Sequence, residues 1–336
     1  MEAVFHKTLI ELEFQMFNVH NKKSTFLEIG SVLNGYRVVD YLDKGGFSQV
    51  YIVESMRFNS LFAAKIINIP NKSNKMREAF NNEVEALMKL DHPNIIRLYE
   101  YFEYFSYYVL ILEYCSGGSL ADEIDMGGPI SINRLKQISR YILSALCYSH
   151  SQNIAHHDIK PKNILFDSFG RPKLADFGIC ICSEYDEECS NFHCSLAFAP
   201  PEIVQKKTFN PFLADIWSLG ITLAYAVNGF FPLSDRNEEA LSMSIIHGMF
   251  IFSKNLSEQE IYFIKKLLKI DPEQRPSALS LLKDPFLEQF ELITIRTKNP
   301  SMIRNRTLKI IVSQRRNSHH SWKSHPYSIF DDIHKL

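Results

Sequence analysis

The chain has 336 residues, enough for one large domain or two modest ones. A composition of 46% hydrophobic and 22% charged residues excludes a disordered chain and fits a globular one. The formal net charge of -1 gives no bulk electrostatic case for nucleic acid or a membrane surface as partner. The start carries Glu2, Glu11 and Glu13 without an uninterrupted apolar core, so it does not read as a signal peptide. With that start, six cysteines are expected as reduced thiols in the cytoplasm or the nucleus.

In chain order, residues 36–42 and 50–54 are rich in β-branched and aromatic side chains and flank a Gly-containing turn, which predicts a hairpin. The turn Asp43-Lys44-Gly45-Gly46-Phe47-Ser48-Gln49 has glycines that let backbone N–H groups approach a phosphate closely. Residues 62–67 read as a strand with Lys65 inside an apolar run. A charge there is costly without a partner, so Lys65 either snorkels from an edge strand or meets an anion. The spacing predicts a helix over 77–90, with Phe80, Val84, Leu87 and Met88 on one side and Glu78 and Glu85 as surface charges. His92-Pro93-Asn94 ends it. Two aromatic-rich strands follow within 94–114. A core helix is predicted over 133–149, from Leu135, Ile138, Ile142, Ala145 and Leu146. The most apolar run, 216–233, is interrupted by Ser218, Gly220, Thr222, Asn228 and Gly229. It predicts a buried helix rather than a membrane span.

Two stretches carry the chemistry. His156-His157-Asp158-Ile159-Lys160-Pro161-Lys162-Asn163 is followed thirteen residues after Asn163 by Asp176-Phe177-Gly178. Phosphoryl transfer needs a carboxylate to orient the attacking hydroxyl, oxygen ligands for magnesium, and positive charge on the phosphates. Asp158 suits the first need, and Asn163 and Asp176 the second. In these residues, and in the upstream parts in the same order, the chain resembles the protein kinase superfamily, serine/threonine type. It is most similar to the calcium/calmodulin-dependent and AMP-activated kinase-like group.

The resemblance implies an α+β bilobal fold. A kinase domain spans 35–290, with an N-lobe over about 35–113 and a mainly helical C-lobe over about 116–290. An extension (1–34) precedes it, and a basic tail (291–336) follows. The activity implied is transfer of the γ-phosphoryl group from ATP, with Mg2+ or Mn2+, to serine or threonine hydroxyls of protein substrates. The alternative is a pseudokinase scaffold. Asp158, Lys160, Lys65 and Glu83 are the implied catalytic set, with Lys65 on the phosphates and Glu83 as its helix partner. Asn163 and Asp176 are the implied metal ligands. Leu42, Gly45, Val50, Ala63, Leu112, Glu113, Cys115 and Leu165 are assigned to the nucleotide, with Leu165 as the floor under adenine and Glu113-Tyr114-Cys115 as the hinge. Asp215 is expected to brace the catalytic loop, and Arg275 to pair with Glu202. Lys160 matches the serine/threonine pattern D-x-K-P-x-N, and Ser195 stands where the family has a threonine bonded to the catalytic aspartate.

Departures from the family pattern set further expectations. Asp43 and Ser48 replace two glycines of the nucleotide turn; Asp43 should weaken nucleotide binding unless it faces solvent. Pro200 replaces the alanine of A-P-E. Lys162 stands where arginine-directed kinases have glutamate, which argues against a simple basic consensus. His157 replaces the arginine that grips a phosphorylated activation loop, so activity is expected to depend little on loop phosphorylation. Cys180, Cys182, Cys189, Cys194 and His193 are either small side chains, redox-sensitive thiols or zinc ligands. Residues 292–330 hold eight Lys or Arg and no acidic residue. They read as a solvated tail or an autoinhibitory segment drawn to the kinase domain, and Arg315-Arg316-Asn317-Ser318 as a pseudosubstrate or phosphorylation site.

Overall fold

In the computed structural model, residues 25–45, 48–68, 74–178, 181–182, 196–234 and 236–288 are described. They fall in the first of the two units into which the chain divides, Met1–Phe290.

The β-branched and aromatic residues of the first third build a six-stranded sheet. Its strands are β1 (Val32–Leu33), β2 (Tyr36–Lys44), β3 (Ser48–Ser55), β4 (Ser60–Asn68), β5 (Leu98–Tyr104) and β6 (Tyr107–Glu113), in the order β1-β2-β3-β4-β6-β5. Burial along β3 alternates with the period of two that a pleated strand requires. Tyr51 and Val53 therefore share one face with Val38, Ala64, Ile66, Val109 and Ile111 in an apolar core. The opposite face of β4 and β6 meets helix α1 (Asn74–Lys89), where Phe80 and Val84 pack on Tyr108 and Leu110. Phe80 stacks on Tyr108 with ring centroids 4.4 Å apart. Lys65 pairs with Leu110 in the ladder, so its side chain shares that helix-facing side. One expectation fails here. Met88 is 55% exposed, because it lies about 100° round the helix from Leu87, beyond the buried stripe.

Helices dominate the second lobe. Ser119 caps α2 (Leu120–Gly127) with a capping box to Asp122, and Ser131 caps α3 (Ile132–Ser151). All five of the predicted core residues of α3, from Leu135 to Leu146, are fully buried. Asn210 caps α4 (Pro211–Asn228), which is buried along most of its length. That explains an apolar sequence on every side of the helix. Among the described residues no helix is long and apolar enough to cross a membrane. Gly220 on α4 allows close packing, since a Cβ there would stand 2.7 Å from Leu268 Cδ2. Short strands β7 (Ile154–Ala155), β8 (Ile164–Phe166) and β9 (Pro172–Leu174) add Ile154, Ile164, Phe166 and Leu174 to the core of this lobe. Leu174 donates its N–H to Asn94 O at 2.8 Å and accepts from Ile96 N–H at 2.9 Å. Those bonds tie the chain just before Asp176 to the segment leading into β5.

Candidate active site

Lys65 lies on β4, which is flanked by β3 and β6, so it is not on a sheet edge. Its Nζ contacts Glu83 Oε1 at 2.7 Å, Glu83 Oε2 at 2.8 Å and Asp176 Oδ1 at 2.6 Å. The ionic cluster thus joins β4, α1 and the loop after β9. Burial works against the Lys65 charge, yet the carboxylates of Asp176 and Glu83 overcome it and hold its pKa well above the ordinary lysine value. Burial pushes the Glu83 carboxyl up, opposed by Lys65. The Lys65 ammonium draws Asp176 down to about 2. Asp176 has φ 69, in the left-handed region that aspartate tolerates better than most residues. Gly178 gives the cluster room: a Cβ there would lie 3.3 Å from both Asp176 Oδ1 and Glu83 Oε2.

Asp158 is 6% exposed and lies between β7 and β8. Its Oδ2 meets Lys160 Nζ at 2.7 Å and accepts from Asn163 Nδ2 at 2.9 Å. The same amide donates to the Asp158 carbonyl at 2.8 Å. The fully buried Asp215 accepts the backbone N–H groups of His156 and His157, each at 2.8 Å, and meets His150 Nε2 at 2.9 Å. The expected brace of the loop by α4 is therefore present. His156 Nε2 meets Ala175 O at 3.0 Å, and its ring packs edge-on to Phe177 at 4.5 Å. His157 has φ 64 and is 3% exposed, and burial lowers its pKa to about 4.

Beside these polar groups lies an apolar surface. Val50 pairs with Lys65, and Ala63 with Leu112. Leu112, Cys115 and Leu165 pack together on the large-lobe core. Leu42, at the end of the predicted first strand, is 44% exposed. The turn closes through Gly45 N–H donating to Ser48 O at 2.8 Å. Asp43 is exposed, and its Oδ1 accepts from the Lys44 N–H at 2.8 Å, which meets the solvent-facing condition set above. Burial, with Glu113 beside it, pushes the Cys115 thiol up to about 12, so it is no nucleophile near neutral pH. Lys173 was missed by sequence reasoning. Its Nζ meets Glu113 Oε1 at 2.8 Å and donates to Pro93 O at 2.9 Å. Its signal was the same as that of Lys65, a single lysine in a short apolar strand.

Arg275 and Glu202 form a two-bonded pair, Nη1 to Oε1 and Nη2 to Oε2, both at 2.6 Å and both buried. Pro200 precedes the short helical turn Pro201–Val204, whose first residue is also proline, a fit for a helix start. Gly46, Phe47, Cys180, Cys189, His193, Cys194, Ser195 and the tail lie outside the described residues, and the Cys182 side chain is likewise not described.

A family model for the protein kinase domain matches residues 36–287. The chain belongs to the protein kinase family. Its relatives include the maternal embryonic leucine zipper kinase of Xenopus tropicalis, 32% identical over 77% of this chain and 40% of that protein. A probable serine/threonine-protein kinase, MARK-A, of Dictyostelium discoideum is 28% identical over 81% of this chain and 26% of its own length. CBL-interacting protein kinase 1 of Oryza sativa is 29% identical over 73% of this chain and 54% of that protein. The chain thus spans about two-fifths of the length of relatives such as the first. These matches bear out the resemblance to serine/threonine kinases of the calcium/calmodulin-dependent and AMP-activated kinase-like group. They also bear out the α+β fold of a sheet lobe and a helical lobe. Members of the family use ATP and Mg2+. The kinase's residues fit that pair. The Asn163 nitrogen is committed to Asp158, leaving its carbonyl oxygen to ligate. With the Asp176 carboxylate, it makes a hard oxygen donor set of the size magnesium uses beside phosphates.

Proposed function

We propose that the kinase domain, residues 35–290, transfers the γ-phosphoryl group of ATP to serine and threonine hydroxyls of proteins. The observation that carries the reading is the convergence of Lys65, Glu83 and Asp176 from three separate elements, with both carboxylates within 2.8 Å of the Lys65 ammonium. Lys65 binds phosphate oxygens, and Glu83 holds its ammonium in place. Asp158 orients the substrate hydroxyl and receives its proton. Lys160, 2.7 Å from Asp158, offsets charge on the moving group. Asn163 and Asp176 would hold Mg2+, which would supply positive charge against the charge developing on the transferred phosphoryl group. Val50, Ala63 and Leu165 enclose adenine, while Leu42 and Gly45 cover the nucleotide and the segment from Leu112 through Glu113 to Cys115 meets it at the hinge.

A second reading, a scaffold without turnover, draws on Asp43, Ser48, His157 and Pro200. The complete set of Lys65, Glu83, Asp158, Asn163 and Asp176 weighs against it. Incubation with labelled ATP and a protein substrate, followed by phosphoamino-acid analysis, should yield phosphoserine and phosphothreonine. A substrate left unlabelled, or labelled on tyrosine, would contradict the proposal.

Activity is also proposed to depend little on activation-loop phosphorylation. A buried His157 with a pKa near 4 carries no charge at neutral pH with which to grip a phosphate. Phosphatase treatment should leave the rate intact; its loss through Ser190 or Ser195 would defeat the idea. The basic residues 292–330 are proposed to restrain the domain, and truncation after Phe290 should then raise the rate.

A further inference from the structure

Residues 25–31 precede the family match, which begins at residue 36. In the structure they are fastened at two points. Gly30 N–H donates to Val38 O, and Val38 N–H to Ser31 O, each at 2.8 Å, which ties one end to β2. At the other end Phe26 N–H donates to Gln49 Oε1 at 2.8 Å, and Leu27 N–H to the Tyr51 hydroxyl oxygen at 3.1 Å. The Tyr51 hydroxyl itself donates to Gln49 Oε1. The Phe26 ring stacks on Tyr107 at 5.4 Å, and Leu27 packs with it on the sheet core.

Gln49 is 1% exposed. An amide buried against apolar neighbours needs such donors, and with them it is fixed in place. It follows Ser48, whose carbonyl closes the nucleotide turn, and precedes Val50 on the opposite face of β3. We propose that residues 25–31 form a strap that sets the nucleotide-covering hairpin through Gln49, making Gln49 and Phe26 positioning residues for ATP. The proposal rests on the reading of the cleft as an ATP site, and deepens it.

The test uses the full chain. Gln49→Leu keeps the buried volume and removes the acceptor; Phe26→Ala removes the ring from Tyr107; Phe26→Tyr keeps it. The Kd for MgATP, by calorimetry, and the KM for ATP should rise about fivefold in both Gln49→Leu and Phe26→Ala. The kcat at saturating ATP should hold, and Phe26→Tyr should behave as wild type. A lower melting temperature with unchanged Kd, measured well below that melt, would reduce the strap to a structural part and overturn the proposal. Should Gln49→Leu fail to fold, the half-buried Phe26 decides through its Ala and Tyr variants. A wild type that binds MgATP without transferring phosphate defeats the turnover reading alone, and the Kd difference still decides the strap. A wild type that binds no MgATP overturns both.

Discussion

His157 shows how far one side chain can be read. Its backbone N–H is held by Asp215, its φ is 64, and its ring is buried within 5.8 Å of the Phe209 ring centroid. Burial lowers its pKa from 6.5 to about 4. The folded state therefore keeps the ring neutral where the unfolded chain takes up a proton. This contribution to stability is fully present above pH 6.5 and is lost as pH falls toward 4. The loss should amount to about 2 kcal/mol by pH 5. Asparagine tolerates the same left-handed backbone, so His157→Asn is the control. Denaturant titrations at several pH values should show the wild type weakening relative to the variant only below pH 6.5. A difference independent of pH between 7.5 and 5 would contradict this account of the ring.

At the scale of elements, the pair Arg275–Glu202 joins the helical turn Pro201–Val204 to the end of the domain. Arg275 also donates to Lys269 O and Leu213 O and lies 5.1 Å over the Trp217 ring. Arg275→Ala strips a buried carboxylate of its cation and should cost about 3–5 kcal/mol in chemical denaturation. A loss of only a few tenths would mean that Glu202 is not held by this pair.

Elements of this kind were legible where pattern and chemistry coincide. The hairpin turn, Lys65 in its apolar strand and the Asp158–Asn163–Asp176 spacing each combine a residue type with a fixed offset. The α3 core stripe was legible from its 3.6-residue period. Met88 was misread because a methionine beside Leu87 looks buried until the helix face is fixed in space. Lys173 was passed over because its partner, Glu113, is sixty residues away in sequence. The strap carries no motif at all: its anchors are backbone N–H groups and one glutamine, and neither betrays its contacts in a sequence.

For the whole molecule, the site depends on two lobes meeting. The Lys65–Glu83 pair belongs to the small lobe, while Asp158, Asn163 and Asp176 follow the core helix α3 of the large one. The Leu174 bonds to Asn94 and Ile96 hold Asp176 close enough to bridge them. The central claim is that this convergence moves phosphate. The most direct test is the rate of phosphate transfer from labelled ATP to protein by the wild type beside Asp158→Asn. The account predicts transfer by the wild type and a fall of about 10²–10⁴-fold in the variant, the range for a lost general base, with MgATP still bound. Equal rates in the two proteins, or no transfer by the wild type, would contradict it.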